Sequence, residues 1–373
     1  MHSIAFPRVS VVYKLVLRMS STKLTYEDAV HKLNLLQSNK STIEQIRKHI
    51  KDGQECTNLK DMENYLLRTG VTLPELDKLS VIHVAGTKGK GSTSAMCESI
   101  LRAHGFHTGF YSSPHLISVC ERIRLNGYIL SKTKFADHFH EVYDALYKTQ
   151  EFNGDMPKYF SFLTVLAFNV FLKEKVDVAI VEVGIGGIVD YTNVLRKVPV
   201  VGITALGLDH TSILGNTLPE IAAAKAGIMK PGCEPFTVEQ PNDAMKVLRD
   251  VASKNKCPLY IVPEFNTYSF ENGCRLSIDL EAYQTNASLA IQLAHAWMRT
   301  NKQKQENDTL PEKNNDHILV KTLSKNTVMG LKKCKWPGRY QVVNLDYANF
   351  YLDGAHTKES IDMCVKWFKK NNR

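Results

Sequence analysis

The chain has 373 residues, 43% hydrophobic and 23% charged, enough apolar material for a sizeable core and too ordinary a mixture for a disordered or fibrous protein. Its formal charge is +9, but Arg8, Lys14, Arg18 and Lys23 near the start and Lys366, Lys369, Lys370 and Arg373 at the end carry eight of those charges. The body between them is close to neutral, so a basic nucleic-acid-binding face across it is not supported.

Up to Glu27 the N-terminus is basic, Ser-bearing and free of acids. That is the composition of a mitochondrial transit peptide rather than a secretory signal, with a merely basic tail as the alternative. Residues 1–24 are therefore expected to be a transit segment, and Met19 offers a second start that omits most of it. The first strand is predicted at Val81–Ala85, followed by a helix over Ser92–His104. Helices are predicted over Lys134–Tyr147 and Tyr159–Lys173; the latter is apolar but shorter than the roughly 20 residues a membrane span needs, so it reads as buried. Strands Val176–Val183 and Val198–Thr204 are too continuously apolar for one-sided strands, and a helix over Leu218–Ala226 has Pro219 in its first turn. This alternation predicts an α/β fold with a mostly parallel sheet and helices on both faces.

A further helix is predicted over Gln284–Thr300, then a polar linker over residues 301–328, most polar at Asn301–Asn315. Beyond it come Trp336-Pro337-Gly338-Arg339, strands at Gln341–Leu345 and Asn349–Leu352, Asp353-Gly354-Ala355-His356, and a helix to about Lys370. Two strands and one helix are too little for an independent domain. This piece either packs on the large domain or opens a longer one. The eight cysteines show no Cys-x-x-Cys spacing, so neither a zinc knuckle nor a disulfide framework is indicated and a reducing compartment is expected.

Three constellations carry chemistry. Gly86-Thr87-Lys88-Gly89-Lys90-Gly91-Ser92 lies between the first strand and its helix. Glycines let such a loop wrap a phosphate chain, the helix N-terminus adds positive potential, and Lys90 can reach terminal phosphate oxygens. The spacing departs from G-x-x-x-x-G-K-[ST], and a plain Gly-rich turn is the alternative. Glu182 ends the second long strand before Gly184, Gly186 and Gly187, and Asp209-His210 follows the third. Ligands of open α/β sheets collect at such strand ends, where these groups can hold a divalent cation; taken alone, Glu182 can be a satisfied carboxylate, and His210 is better read as a surface histidine. The Ser112-Ser113-Pro114-His115 segment is either a ligating loop or a capped turn. Lys225 stands among Ala222, Ala223, Ala224 and Ala226, which admit another group close to it, or it snorkels to solvent.

These motifs, with Glu121 to Gly127, Asp190-Tyr191-Thr192-Asn193, residues 206–232 and the Trp336 and Asp353 segments, occur in the order found in folylpolyglutamate synthases of the eukaryotic type, members of the Mur-ligase-like ATP-dependent amide-bond ligases. The chain resembles that family from about residue 25 to its end. The resemblance implies a P-loop-type Mur-ligase-like ATPase domain over residues 25–300 and, over residues 329–373, the start of an incomplete Rossmann-like glutamate-ligase C-terminal domain, in a partial or alternatively ended chain.

It implies ATP contacts at Lys88, Gly89, Lys90, Gly91, Ser92, Asn286, Arg339 and Asp353. It places magnesium ligands at Ser113, Glu182 and His210, and catalytic roles at Lys90, Lys225 and His356. Lys225 matches a lysine that is carbamylated in related ligases, where it serves a second magnesium; a monovalent cation is a further implied cofactor. The implied substrates are tetrahydrofolate polyglutamates, L-glutamate and ATP, with no nucleic acid and no integral membrane span, in a monomer of the mitochondrion or cytoplasm. Dihydrofolate synthase, which shares the fold, and a non-catalytic nucleotide-binding paralogue remain alternatives.

Overall fold

The computed structural model describes residues 25–37, 56–271, 273–278, 280–305 and 318–371. The transit-like segment, Met19 and residues 306–317 of the expected linker lie outside them, while residues 301–305 continue the helix before it. In chain order the elements begin with helices α1 (Tyr26–Leu35), α2 (Asn58–Arg68) and α3 (Leu73–Leu76), strand β1 (Val81–Ala85), helix α4 (Lys90–Ala103), and strands β2 (Thr108–Tyr111), β3 (Ile123–Leu125) and β4 (Tyr128–Ile129). Helices α5 (Lys132–Lys148) and α6 (Tyr159–Lys173), strands β5 (Val178–Glu182) and β6 (Val200–Ile203), and helices α7 (Thr211–Leu214) and α8 (Leu218–Ala226) follow. Then come β7 (Glu234–Thr237), α9 (Asn242–Lys254), β8 (Tyr260–Ile261), β9 (Ser269–Phe270), α10 (Glu281–Gln305), β10 (Thr322–Leu323), α11 (Lys325–Lys333), β11 (Gln341–Leu345), β12 (Ala348–Leu352) and α12 (Lys358–Asn371).

Eight strands form one sheet in the order β4-β3-β2-β5-β1-β6-β7-β8. All neighbours from β2 to β8 are parallel, and β3 and β4 add an antiparallel edge. The three strands expected to be central, β5, β1 and β6, are adjacent and fully buried, as continuous hydrophobic runs covered on both faces should be. Their side chains alternate between two cores. Val81, Ala85, Ala179, Val181 and Val201 face one, while Ile82, Val84, Val178, Ile180 and Val200 face the other. Helix α6 belongs to the first core, with Phe162, Phe168 and Phe171 wholly buried, which confirms it as an internal helix; among the described residues no helix is long and apolar enough to cross a membrane.

Helix α4 packs in the second core and α8 in the first. The connections after the adjacent strands β1 and β6 therefore leave toward opposite faces, opening a crevice at the carboxyl ends of these strands.

The last part of the expected linker is ordered into secondary structure. Strand β10 pairs with β9, and α11 lies against α4, where a Cβ on Gly330 would come within 2.6 Å of Ile100 Cα. The binding signal is one apolar stripe, Val328 and Leu331, too short to stand out among lysines in the sequence. Beyond it, β11 and β12 form an antiparallel hairpin against which α12 sets Trp367, edge-on to Tyr340 and Tyr351. The hairpin meets the body through Tyr283 on Tyr340 and leaves Val342, Leu345, Phe350 and Leu352 exposed.

Candidate active site

Helix α4 begins at Lys90, two residues earlier than the sequence reading, so Lys90, Gly91 and Ser92 form its first turn. The first N–H groups of a helix have no intrahelical partner, which suits them to phosphate oxygens. Glycine is needed at two points of the loop. Gly86 and Gly89 have φ of +150° and +87°, and a Cβ would overlap Thr204 Oγ1 at the first and Asn286 Oδ1 at the second. Asn286, near the start of α10, thus sits directly on the loop and also accepts from Thr93 Oγ1 at 3.4 Å. The loop is anchored to the segment after β6: the Thr87 and Lys88 amides donate to the Ala205 carbonyl at 3.0 and 3.1 Å, and Thr87 Oγ1 donates to the Gly207 carbonyl at 3.1 Å.

Lys225 joins this loop. Its Nζ donates to the Gly86 carbonyl at 2.8 Å and the residue is buried, so the snorkelling alternative is excluded. Burial, and next the charge of Lys90, depress its pKa to about 8, against the opposing pull of Asp209 and Asp190. The alanines around it admit the glycine turn after β5. Ile188 N donates to the Ala224 carbonyl at 2.8 Å, and a Cβ on Gly187 would lie 2.6 Å from that same oxygen. Asp190 holds this turn by accepting from Ile185 N at 2.9 Å and Thr192 N at 3.0 Å. Burial raises its pKa while these bonds oppose the shift.

Glu182, at the end of β5, is buried and accepts from Ser113 N at 3.1 Å. Burial pushes its carboxyl above the ordinary range; the charge of Lys90, the Ser113 bond and the charges of Arg339 and Arg122 oppose that shift. The structure thus brings Ser113, Glu182 and Lys90 together. His210 does not share this grouping. It caps α7 with φ of +48°, is 44% exposed on its side chain, and sets Nε2 3.7 Å from Asp209 Oδ2. Among the described residues no group of three or more His, Cys, Asp or Glu is placed to hold a metal. The buried Glu182 carboxylate, with Ser113 beside it through its backbone amide, nevertheless offers oxygen-donor chemistry that fits a hard cation such as magnesium.

Arg339 and Asp353 come from the two ends of the hairpin and meet there. The Gly354 amide donates to the Gly338 carbonyl at 2.9 Å, the Tyr340 amide donates to Asp353 Oδ2 at 2.8 Å, and a Cβ on Gly354 would overlap Arg339 Nη1. His356 is exposed and turns Nδ1 to the Gly354 carbonyl at 2.9 Å. The hairpin is tied to the phosphate loop through Lys88 Nζ, which donates to Thr357 Oγ1 at 2.9 Å.

Sequence reasoning missed the supports. Thr204 and Ala205 line the loop without any local signal, because only the β1–β6 pairing brings them there. Trp336 packs on Gly91, lies 5.4 Å from the Phe110 ring and carries the Arg124 guanidinium 4.6 Å from its centroid; its place beside Pro337 and Gly338 was the available hint.

No family model matches the chain. It is 45% identical over 357 residues to the human mitochondrial folylpolyglutamate synthase, covering 93% of this chain and 60% of that protein, and 41% identical over 363 residues to a putative folylpolyglutamate synthase of Caenorhabditis elegans, covering 94% of this chain and 68% of that one. A solved structure described as an FPGS–AMPPCP–folate complex superposes with a TM-score of 0.73 at 25% identity, covering 93% of this chain and 80% of the other. The chain spans about 60% of the length of the mammalian relatives it matches. With the phosphate loop, the buried acid and the buried lysine at the carboxyl ends of adjacent central strands, and this similarity running through nearly the whole of its length, the chain belongs to the folylpolyglutamate synthase family.

Proposed function

We propose that this protein adds L-glutamate to the γ-carboxylate of tetrahydrofolate and its polyglutamates, at the expense of ATP and through an acyl phosphate. The observation that carries the reading is the convergence of Lys225 and Glu182 on the Gly86–Ser92 loop, a phosphate cradle joined to a buried acid and a buried amine. A carboxylate is a poor electrophile. Transfer of the γ-phosphoryl group gives it a good leaving group, and the glutamate amine then displaces phosphate to form the amide. The α4 N-terminus and Lys90 offset charge on the transferring phosphoryl group, contacts that matter most where water is excluded.

Asn286 packs on the loop where the nucleotide would be held, and Arg339, Asp353 and His356 supply its other wall from the hairpin. Magnesium, held by Glu182 and Ser113 with His210 as the family's third ligand, would neutralise phosphate charge and align the reacting oxygens. The depressed pKa of Lys225 favours the neutral amine that reaction with carbon dioxide requires, in keeping with a carbamate there. A monomer in the mitochondrion or cytoplasm completes the proposal; comparing the location of fusions that start at Met1 and at Met19 tests its last part.

The decisive assay incubates the longest natural form of the protein with ATP, magnesium, labelled glutamate and tetrahydrofolate. Stepwise glutamate addition is expected, with a loss on the order of a hundredfold or more in Lys90→Ala. Transfer to dihydropteroate alone would make it a dihydrofolate synthase, and ATP binding without transfer to any acceptor would make it a non-catalytic nucleotide binder.

A further inference from the structure

Two cysteines that the site does not use meet at the far end of the sheet. Cys233 lies in the turn directly before β7, and Cys257 in the turn between α9 and β8. Strands β7 and β8 are parallel neighbours, so the residues leading into them are brought side by side. The register that pairs Phe236 with Tyr260, carried three residues back, sets Cys233 opposite Cys257. Both are buried, at 2% and 6% exposure, and Cys257 Sγ donates to the Ala252 carbonyl at 3.4 Å.

The neighbouring Cys233 thiol lowers the Cys257 pKa, while the Cys257 thiol, followed by burial, raises that of Cys233. The pair is set up as one attacking and one resolving sulfur. The phosphate loop follows the carboxyl end of β1, whereas these thiols stand at the amino ends of β7 and β8, so their chemistry is separate from the proposed transfer.

We propose that Cys233 and Cys257 are a redox-responsive dithiol that small hydroperoxides convert to an intrachain disulfide. The Cys257 thiolate attacks one peroxide oxygen, the O–O bond breaks, and the departing oxygen takes up a proton and leaves as water or an alcohol. The sulfenic acid left on Cys257 is then attacked by the Cys233 sulfur. The S–S bond forms as the S–O bond breaks, and the hydroxyl leaves as water with the Cys233 proton. Two electrons pass from the dithiol to the peroxide, and a thiol reductant returns them. The bridge joins the entry to β8, the edge strand of the sheet, to the strand beside it.

The test treats the folded full chain with hydrogen peroxide, blocks remaining thiols with an alkylating agent, and maps peptides without reduction by mass spectrometry. One peptide pair joined through Cys233 and Cys257, lighter by two hydrogens and released by a thiol reductant, is expected. In C233S the Cys257 sulfenic acid is expected to be trapped by dimedone. Recovery of both cysteines as free thiols under conditions that fully oxidise the exposed Cys56 would overturn the proposal, as would a bridge that forms only after denaturation. The wild-type map decides the question even if a variant fails to fold.

Discussion

Gly89 shows how much one residue decides in this site. Its φ of +87° costs a side-chain-bearing residue about 1–2 kcal/mol, and a Cβ would collide with Asn286 as well. Gly89→Ala is therefore expected to weaken ATP binding by at least about tenfold, read by calorimetry, while the thermal transition shows a folded protein. Unchanged affinity would mean that the loop does not hold the nucleotide. Lys225 makes a second residue-scale case. With a pKa of about 8, its neutral fraction rises steeply from pH 7 to pH 9, so a carbamate signal from isotopically labelled carbon dioxide should grow over that range and vanish in Lys225→Arg. An NMR spectrum identical for the two proteins would dispose of the carbamate.

At the scale of elements, close helix packing and burial carry the stability. Helix α11 approaches α4 through Gly330, where an added Cβ would lie 2.6 Å from Ile100 Cα and 2.8 Å from the Ser99 carbonyl. Backbone atoms cannot rotate away, so Gly330→Ala should cost about 1–3 kcal/mol, seen as a lower denaturant midpoint. Phe168, wholly buried in α6, should cost about 3–5 kcal/mol on truncation to Ala. A loss well under that range would mean that the first core collapses around the cavity. Helix α6 was legible because fourteen apolar-rich residues between Lys158 and Lys173 announce burial. Helix α11 was not, because its lysine-rich sequence shows only a short apolar stripe and its partner is α4, far away in the chain.

The whole molecule holds neutral imidazoles in its interior. Burial lowers the His83 pKa to about 3 and the His295 pKa to about 4. In His295 the neighbouring His104 and Arg299 add to the shift. From pH 6.5 down to about 4 the unfolded chain binds a proton at His295 that the folded chain refuses, so the stability present above pH 6.5 falls through that window by at most about 1.4 kcal/mol per pH unit. The buried Glu182 and Asp190 act in the opposite sense, because their raised pKa values make acid relieve a cost of folding. The comparison that isolates the imidazole is His295→Gln against the parent protein. Its denaturant midpoint should fall less steeply from pH 6.5 to pH 5, and parallel pH profiles would contradict the assignment.

The chain's own periodicity determined what is local: the buried strands β1, β5 and β6, the apolar helix α6, the alanine-lined α8 and a phosphate loop with glycines where a side chain would not fit. Tertiary structure alone decided which of the polar strand ends meet. Lys225 reaches the Gly86 carbonyl because α8 packs against the glycine turn after β5, and Ser113 reaches Glu182 because β2 pairs with β5. His210 turns to Asp209 instead, since a left-handed residue at the start of α7 sets its direction. Local pattern reports which residues are buried and where the backbone bends. Contacts between strands distant in sequence depend on pairing order and on which face each helix takes, and those follow from burying both sides of one sheet at once.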